Sequence, residues 1–148
     1  MTLIIREATL GDLPQVHDMV GLLALHHGDT PSIAIETLRR QIFDDGVGHL
    51  VVAGEEEGLV GYALLLPRPN IVTGGRGQEI NHLFVVEWRR RAGIGKALIV
   101  ALRAVSLAQG AEYLVIGTHP DNHAAQRAYR QMGLEELPVG PRFKVALV

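Results

Sequence analysis

Arg90-Arg91-Ala92-Gly93-Ile94-Gly95 is the stretch of this chain best equipped for chemistry, and that chemistry is anion binding. It joins the apolar run Leu83-Phe84-Val85-Val86, which reads as a buried strand, to a helical pattern with apolar residues at Ile94, Ala97, Leu98, Ala101, Leu102, Val105 and Ala108. The first N–H groups of a helix have no partner within it and carry the positive end of its dipole. Gly93 and Gly95 lack the Cβ that would hold a bulky guest off that backbone. Phosphates are the usual guests of such a site. The same letters also suit a basic surface turn that opens an ordinary helix.

Two phosphate motifs are excluded by spelling. In a Walker A loop Gly95-Lys96 would need a glycine where Arg90 stands and a Ser or Thr where Ala97 stands. The dinucleotide fingerprint would need a small residue at Leu98.

The spelling that does fit is Arg/Gln-x-x-Gly-x-Gly/Ala directly after a Leu-aromatic-Val strand end. In this the chain resembles the coenzyme A pyrophosphate loop of the GNAT superfamily of N-acetyltransferases. A second block, Asn122-His123-Ala124-Ala125-Gln126-Arg127-Ala128-Tyr129-Arg130-Gln131-Met132-Gly133-Leu134, resembles that family's Asn-x-x-Ala-x-x-x-Tyr-x-x-x-Gly-Phe helix, with Leu134 in place of Phe. The resemblance covers most of the chain and is weakest before Leu50.

The resemblance implies a central sheet with a splayed strand pair that forms a cleft for acetyl-CoA. The Phe84, Val85 and Val86 backbone would pair with pantetheine amides. The backbone N–H groups of Arg91, Ala92, Gly93, Ile94, Gly95 and Lys96 would cradle the pyrophosphate, with Arg89 and Arg90 adding charge. Asn122 reads on its own as a helix N-cap, and the resemblance adds a hydrogen bond to cofactor or substrate. Tyr129 lies two helical turns further on the same face. By its motif position it would contact the thioester and protonate the departing thiolate.

The implied reaction is direct attack by a neutral amine, so an ammonium acceptor must first lose a proton. Glu79, His82, His119 and a water on Asn81 are the candidate bases. Relatives carry a glutamate near Glu79, whereas His82 starts closer to a suitable pKa. Regular alternation would put Glu79, Asn81 and Leu83 on one face and Ile80, His82 and Phe84 on the other. His26-His27 is not a metal pair, since adjacent helical residues point about 100° apart and no third ligand is in register. In relatives this region borders the acceptor site, which makes His26, His27, Asn81 and His119 the acceptor-side candidates. Gly61-Tyr62-Ala63 and His27-Gly28 faintly resemble diamine and polyamine acetyltransferases. Those enzymes carry Glu-Asp where this chain has Asn81-His82.

Around these residues the pattern predicts a strand over 2–8, a helix from Leu13 to about His27 and a helix over 33–43. A hairpin of strands 49–53 and 59–67 follows, around a solvated Glu55-Glu56-Glu57 turn. A loop over 67–77 leads to a strand over 78–86, and the long helix ends at Gln109. Then come a strand over 113–118, a helix over 122–132 capped by Gly133, and short strands over 134–137 and 143–148 around Pro138-Val139-Gly140-Pro141. Alternating strands and helices with hairpins argue a mixed, mostly antiparallel α/β sheet with helices on both faces.

The 148 residues fit a single domain, 1–148, and a net charge of −2 gives no reason to expect nucleic acid. The absence of cysteine excludes thiolate catalysis and cysteine-bound zinc. The N-terminus has no leader pattern and no run reaches a membrane span, so a cytoplasmic protein without membrane contact is expected. The short apolar strands at the end suggest a homodimer. The expected activity is acetyl transfer from acetyl-CoA to a primary amine, of a small molecule first, with no metal. Protein or peptide N-acetylation and a weakly catalytic acyl-CoA-binding module are the rival functions.

Overall fold

Alternation of apolar residues becomes a five-stranded sheet in the computed structural model, which describes residues 2–138 and 140–148. The chain forms two units, Met1–Gly117 and Thr118–Val148, each described by itself. In the first, β1 (Ile4–Glu7), β2 (His49–Glu55), β3 (Gly58–Pro67), β4 (Gly77–Val85) and β5 (Tyr113–Ile116) lie side by side in chain order. The first four are antiparallel, and β5 runs parallel to β4. Helices α1 (Leu13–His26), α2 (Ile35–Arg39) and α3 (Ile94–Ala108) complete this unit, and α4 (His123–Gln131) lies in the second. Among the described residues no helix is long and apolar enough to cross a membrane.

The helices cover both faces, as the pattern predicts. Leu13, Val16, Met19 and Leu23 of α1 and Leu38 of α2 pack on Leu50, Val52, Tyr62 and Phe84. Each such side chain contributes about 1.5–3 kcal/mol on burial. Gly61, next to Tyr62 and so on the opposite face, lies under Leu98 of α3. A Cβ there would be 2.8 Å from the Phe84 carbonyl oxygen and 3.4 Å from Leu98.

The β4 strand departs from the regular alternation expected of it. Leu64 pairs with His82 but Leu65 pairs with Ile80, so Asn81 is an extra residue, a bulge. The face therefore switches at Asn81. Glu79, opposite Leu66, shares a face with His82 and Phe84, while Ile80, opposite Leu65, turns to the other. The β4–β5 ladder ends at the same place: it runs from Gly77↔Tyr113 to Ile80↔Ile116 and no further. Its closed end is fixed by contact. The Tyr113 ring lies over Gly77, where a Cβ would come within 1.9 Å of it. The Tyr113 hydroxyl donates to the Arg68 carbonyl.

Two other expectations need correction. The helix expected over 33–43 is α2 followed by a π-helical turn, Arg40–Asp44. The strands expected over 134–137 and 143–148 are absent among the described residues, and Val139 of the turn between them lies outside those residues. Phe143 and Leu147 are 95% and 90% exposed. Alternation gives a segment an apolar side, but a strand also needs a neighbouring ladder, and none is formed here. The homodimer expectation rested on those strands and loses that support.

Before α1, Arg6 of β1 donates to both oxygens of Asp12, at 2.7 and 2.9 Å, and the Thr9 N–H donates to one of them at 2.7 Å. The Arg6 bonds first, then those from Thr9, hold the Asp12 carboxyl down at about 2 against burial, which works the other way. A pKa lower in the folded than in the unfolded chain adds stability that is complete above the unfolded value, here about 3.8, and is lost as pH falls toward 2. Asp12→Asn should therefore melt earlier than wild type at pH 7, with the gap closing between about pH 4 and pH 2. Melting curves with a constant gap across that range would contradict the assignment.

Candidate active site

The β4–α3 connection is built from conformations that leave amides unused. After Val85 a 3-10 turn, Glu87–Arg89, carries the chain to Arg90, which is extended at φ −69° and ψ 158°. Arg91 then takes a left-handed φ of 65°, the one non-glycine among the described residues to do so, and Gly93 takes φ 80°. Gly93 is the N-cap of α3, and Ile94 beside it is buried. Among the described residues the N–H groups of Arg91, Ala92 and Gly93 have no protein acceptor. Those of Ile94, Gly95 and Lys96 open the helix and have no carbonyl four residues back. A left-handed residue followed by a right-handed one turns successive N–H groups into one concavity, which suits an anion. The Gly93 and Gly95 Cβ positions face open space, with nothing within 4 Å. The space directly in front of the two glycines is therefore open to a bulky group.

The three arginines before it have different surroundings. Arg89 is engaged with Glu55 through two hydrogen bonds of 2.7 Å. Arg90 donates from Nε to the Val85 carbonyl at 2.9 Å, and its guanidinium lies 5.5 Å from the centre of the Phe84 ring. Arg91, like Lys96, has no side-chain partner among the described residues.

Beside this loop the open edge of β4 is readable from its register. The Val86 N–H donates to Val60, so Val86 and, by alternation, Phe84 turn their main-chain groups toward β3. Leu83 and Val85 turn theirs toward the side that β5 has left. Sequence reasoning chose Phe84, Val85 and Val86 for that edge and missed Leu83, because the register that sets the parity is not written in β4 itself.

On the α1 face of the sheet, His82 Nδ1 is 3.1 Å from the hydroxyl of Tyr62, a residue only 1% exposed. The rings meet edge to face, 6.1 Å apart. Burial first, then the charge of His27, pushes the His82 pKa below its ordinary value. Burial pushes the Tyr62 hydroxyl up, so it stays protonated. The structure thus brings His27 and Glu79 to the side of the sheet that carries His82. Glu79 is engaged by Arg68 at 2.9 Å. Asn81 is exposed at the bulge, and the ring of His26 lies 5.7 Å from that of His27 at the end of α1. No group of His, Asp or Glu among the described residues could hold a metal. Neither Tyr62 nor Arg68 was found by sequence reasoning, since only the strand pairing places them against His82 and Glu79.

In the second unit, Asn122 accepts from the Ala125 N–H at 3.1 Å, as an N-cap. His119 accepts from the Asp121 N–H through Nδ1 at 3.2 Å and is part of the turn into α4. Gly133 closes α4 at φ 82°. Tyr129 is half-buried, which raises its pKa, and its hydroxyl has no protein partner among the described residues.

The chain has relatives in sequence and in fold. Residues 18–134 match the model of the acetyltransferase (GNAT) family. An uncharacterized N-acetyltransferase of Bacillus subtilis, YhfO, is 32% identical over 87 residues, 59% of this chain. The chain spans 58% of that relative's length. A transcriptional regulator from Bacillus halodurans C-125 has the same fold at a TM-score of 0.83 and 24% identity, over 97% of this chain and 100% of that one. An aminoglycoside acetyltransferase from a soil metagenome does so at 0.81 and 22%, over 97% of both chains. A ribosomal-protein-alanine N-acetyltransferase from Brucella melitensis does so at 0.78 and 19%, over 97% and 100%.

The left-handed Arg91 generates a stability prediction. A residue with a Cβ is disfavoured there by about 1–2 kcal/mol, part of which a glycine gives back through its freer unfolded chain. Arg91→Gly should stabilise the protein by roughly 0.5–1 kcal/mol, and Arg91→Val should destabilise it by at least as much. Equal urea midpoints for all three proteins would remove the left-handed assignment.

Proposed function

Because the chain belongs to the acetyltransferase (GNAT) family, we propose that it transfers an acetyl group from acetyl-CoA to a primary amine of a small molecule. The observation that carries this reading is the run of unpartnered amides from Arg91 to Lys96, opened by two left-handed residues beside a free strand edge. In this reading those amides hold the pyrophosphate, with charge from Arg91 and Lys96. The Leu83 and Val85 main chain holds the pantetheine amides, for which Arg90 must give up the Val85 carbonyl. Asn122 adds a hydrogen bond from its side-chain amide. Acetyl-CoA supplies the activated thioester, and the residues of this chain bind, orient and move protons.

Of the candidate bases, His82 has the most suitable surroundings. Its depressed pKa keeps the ring neutral near pH 7. In the tautomer whose Nδ1–H donates to the Tyr62 oxygen, Nε2 keeps a lone pair for the ammonium proton, and the same bond survives once the ring is charged. Glu79 is already engaged by Arg68, and His119 by its own turn. Tyr129, raised by burial and without a protein partner among the described residues, retains a proton for the leaving thiolate.

The acceptor class is tested by offering small amines, aminoglycosides and peptide N-termini with acetyl-CoA and reading free thiol. Turnover of peptides alone would replace the small-molecule reading. Cofactor binding with no turnover would leave an acyl-CoA-binding module. With a working amine, Tyr129→Phe should lower kcat by about a hundredfold to ten-thousandfold while the KM for acetyl-CoA moves little. A change within a few-fold would make Tyr129 a packing residue. For His82 the sign follows from its role: activity needs the neutral ring. The kcat/KM should therefore fall with acid through a pKa below the ordinary histidine value, and that limb should vanish in His82→Gln. An unchanged limb in the variant would assign the proton to another group.

A further inference from the structure

Glu55 begins a run of three glutamates that, from sequence, is a solvated turn. The structure separates them. Glu56 and Glu57 are exposed, whereas the Glu55 side chain, at the end of β2, is only 4% exposed. Both of its oxygens are taken by Arg89, through Nε and Nη2, at 2.7 Å each. A planar guanidinium bound by two parallel bonds is fixed in direction as well as in place.

Arg89 is the last residue of the 3-10 turn between β4 and α3, two residues before the left-handed Arg91. Beyond it, Arg91 to Gly93 make no hydrogen bond through their N–H groups among the described residues until Ile94 is buried at the head of α3. The concavity is thus held at its helix end by packing and at its strand end by few contacts. Those are short turn bonds from Arg89 and Arg90, the Arg90 bond to Val85, and the Arg89 fork to a different hairpin. Together with the Val86 N–H bond to Val60 at the very start of the connection, the Arg89 fork ties it to a part of the sheet outside β4, and among the described residues it is the side-chain bond that does so closest to the concavity. Bound in this way, the Arg89 guanidinium is also turned away from service as a phosphate ligand.

We propose that Glu55 and Arg89 form a positioning pair that sets the coenzyme A pyrophosphate loop, with Glu55 as the anchor and Arg89 as the strut rather than a ligand of the phosphates. The inference rests on the function proposed above. It assigns a role to a glutamate outside the β4–α3 and α4 motifs, and it divides the basic run: Arg89 positions, while Arg91 and Lys96 bring free charge.

Calorimetric titration of the full chain with coenzyme A tests it, because the two roles of Arg89 predict opposite signs for Glu55→Gln. If the pair positions the loop, Glu55→Gln and Arg89→Gln each weaken binding by about tenfold, the scale on which supporting residues act around a bound group. The double variant is then no weaker than either single one. The KM for acetyl-CoA rises correspondingly, while kcat at saturation stays within a few-fold. If Arg89 binds phosphate, Glu55→Gln frees the guanidinium, affinity is unchanged or tighter, and the inference is overturned. Arg89→Lys keeps the charge but not the fork, and gives the same choice if Glu55→Gln does not fold: weakened binding supports positioning, unchanged binding overturns it. Gly95→Glu serves as the control, since it fills the open space in front of the loop and should abolish binding in a folded protein. Wild-type protein that binds no coenzyme A would overturn the function itself. Wild-type binding with an indifferent Glu55→Gln overturns only the positioning pair.

Discussion

The parting of β4 from β5 at Asn81 is the constraint on which the rest of the first unit depends. Two parallel strands normally continue as long as their backbones can pair, because each unpaired N–H or C=O away from water is costly. Here the bulge adds one residue to β4, and the ladder to β5 ends at Ile80. Below that point Tyr113 lies over Gly77 and holds the strands together. Above it the Leu83 and Val85 main chain faces away from β3 without a strand beside it, and Arg90 takes the Val85 carbonyl. A separation of this kind cannot drift, since one end is fixed by an aromatic ring over a glycine and the other by the pairing of β4 with β3.

The same inserted residue arranges the chemistry on the sheet's faces. Without it, Glu79 and His82 would project from opposite sides. With it, both lie on the side packed by α1, where Tyr62 meets His82 and Arg68 meets Glu79. One carboxylate is thereby neutralised by an arginine, and one imidazole is kept neutral by burial and by His27. The Glu79 carboxylate is engaged by Arg68, while the charge of His27 favours the neutral form of the ring.

Charge is handled differently at the loop. Consecutive arginines at the head of a helix would repel each other and the helix dipole if all three were free. The structure lowers that tension by giving Arg89 to Glu55 and Arg90 to the Val85 carbonyl and Phe84 ring, leaving Arg91 alone. Local strain at the left-handed Arg91 goes with the same loop whose amides are left unused among the described residues, so the loop is not shaped by its own bonding.

The sequence by itself determined the elements that close their own hydrogen bonds. Leu13, Val16, Met19 and Leu23 mark α1, Ile94, Leu98 and Leu102 mark α3, Asn122 caps α4 and Gly133 ends it, because spacing within one segment suffices to state a helix. The β4–α3 connection was legible on the same ground, as a strand, a glycine turn and a helix start adjacent in the chain. Only the tertiary structure decided the features that need a second segment. The face of Glu79 depended on a register slip against β3. The buried state of Glu55 depended on an arginine 34 residues away, and the fate of the alternating tail at 143–148 depended on a ladder that was not there. A strand's pairing, a bulge and an ion pair between hairpins are set by where another part of the chain arrives, and no local run of residues contains that information.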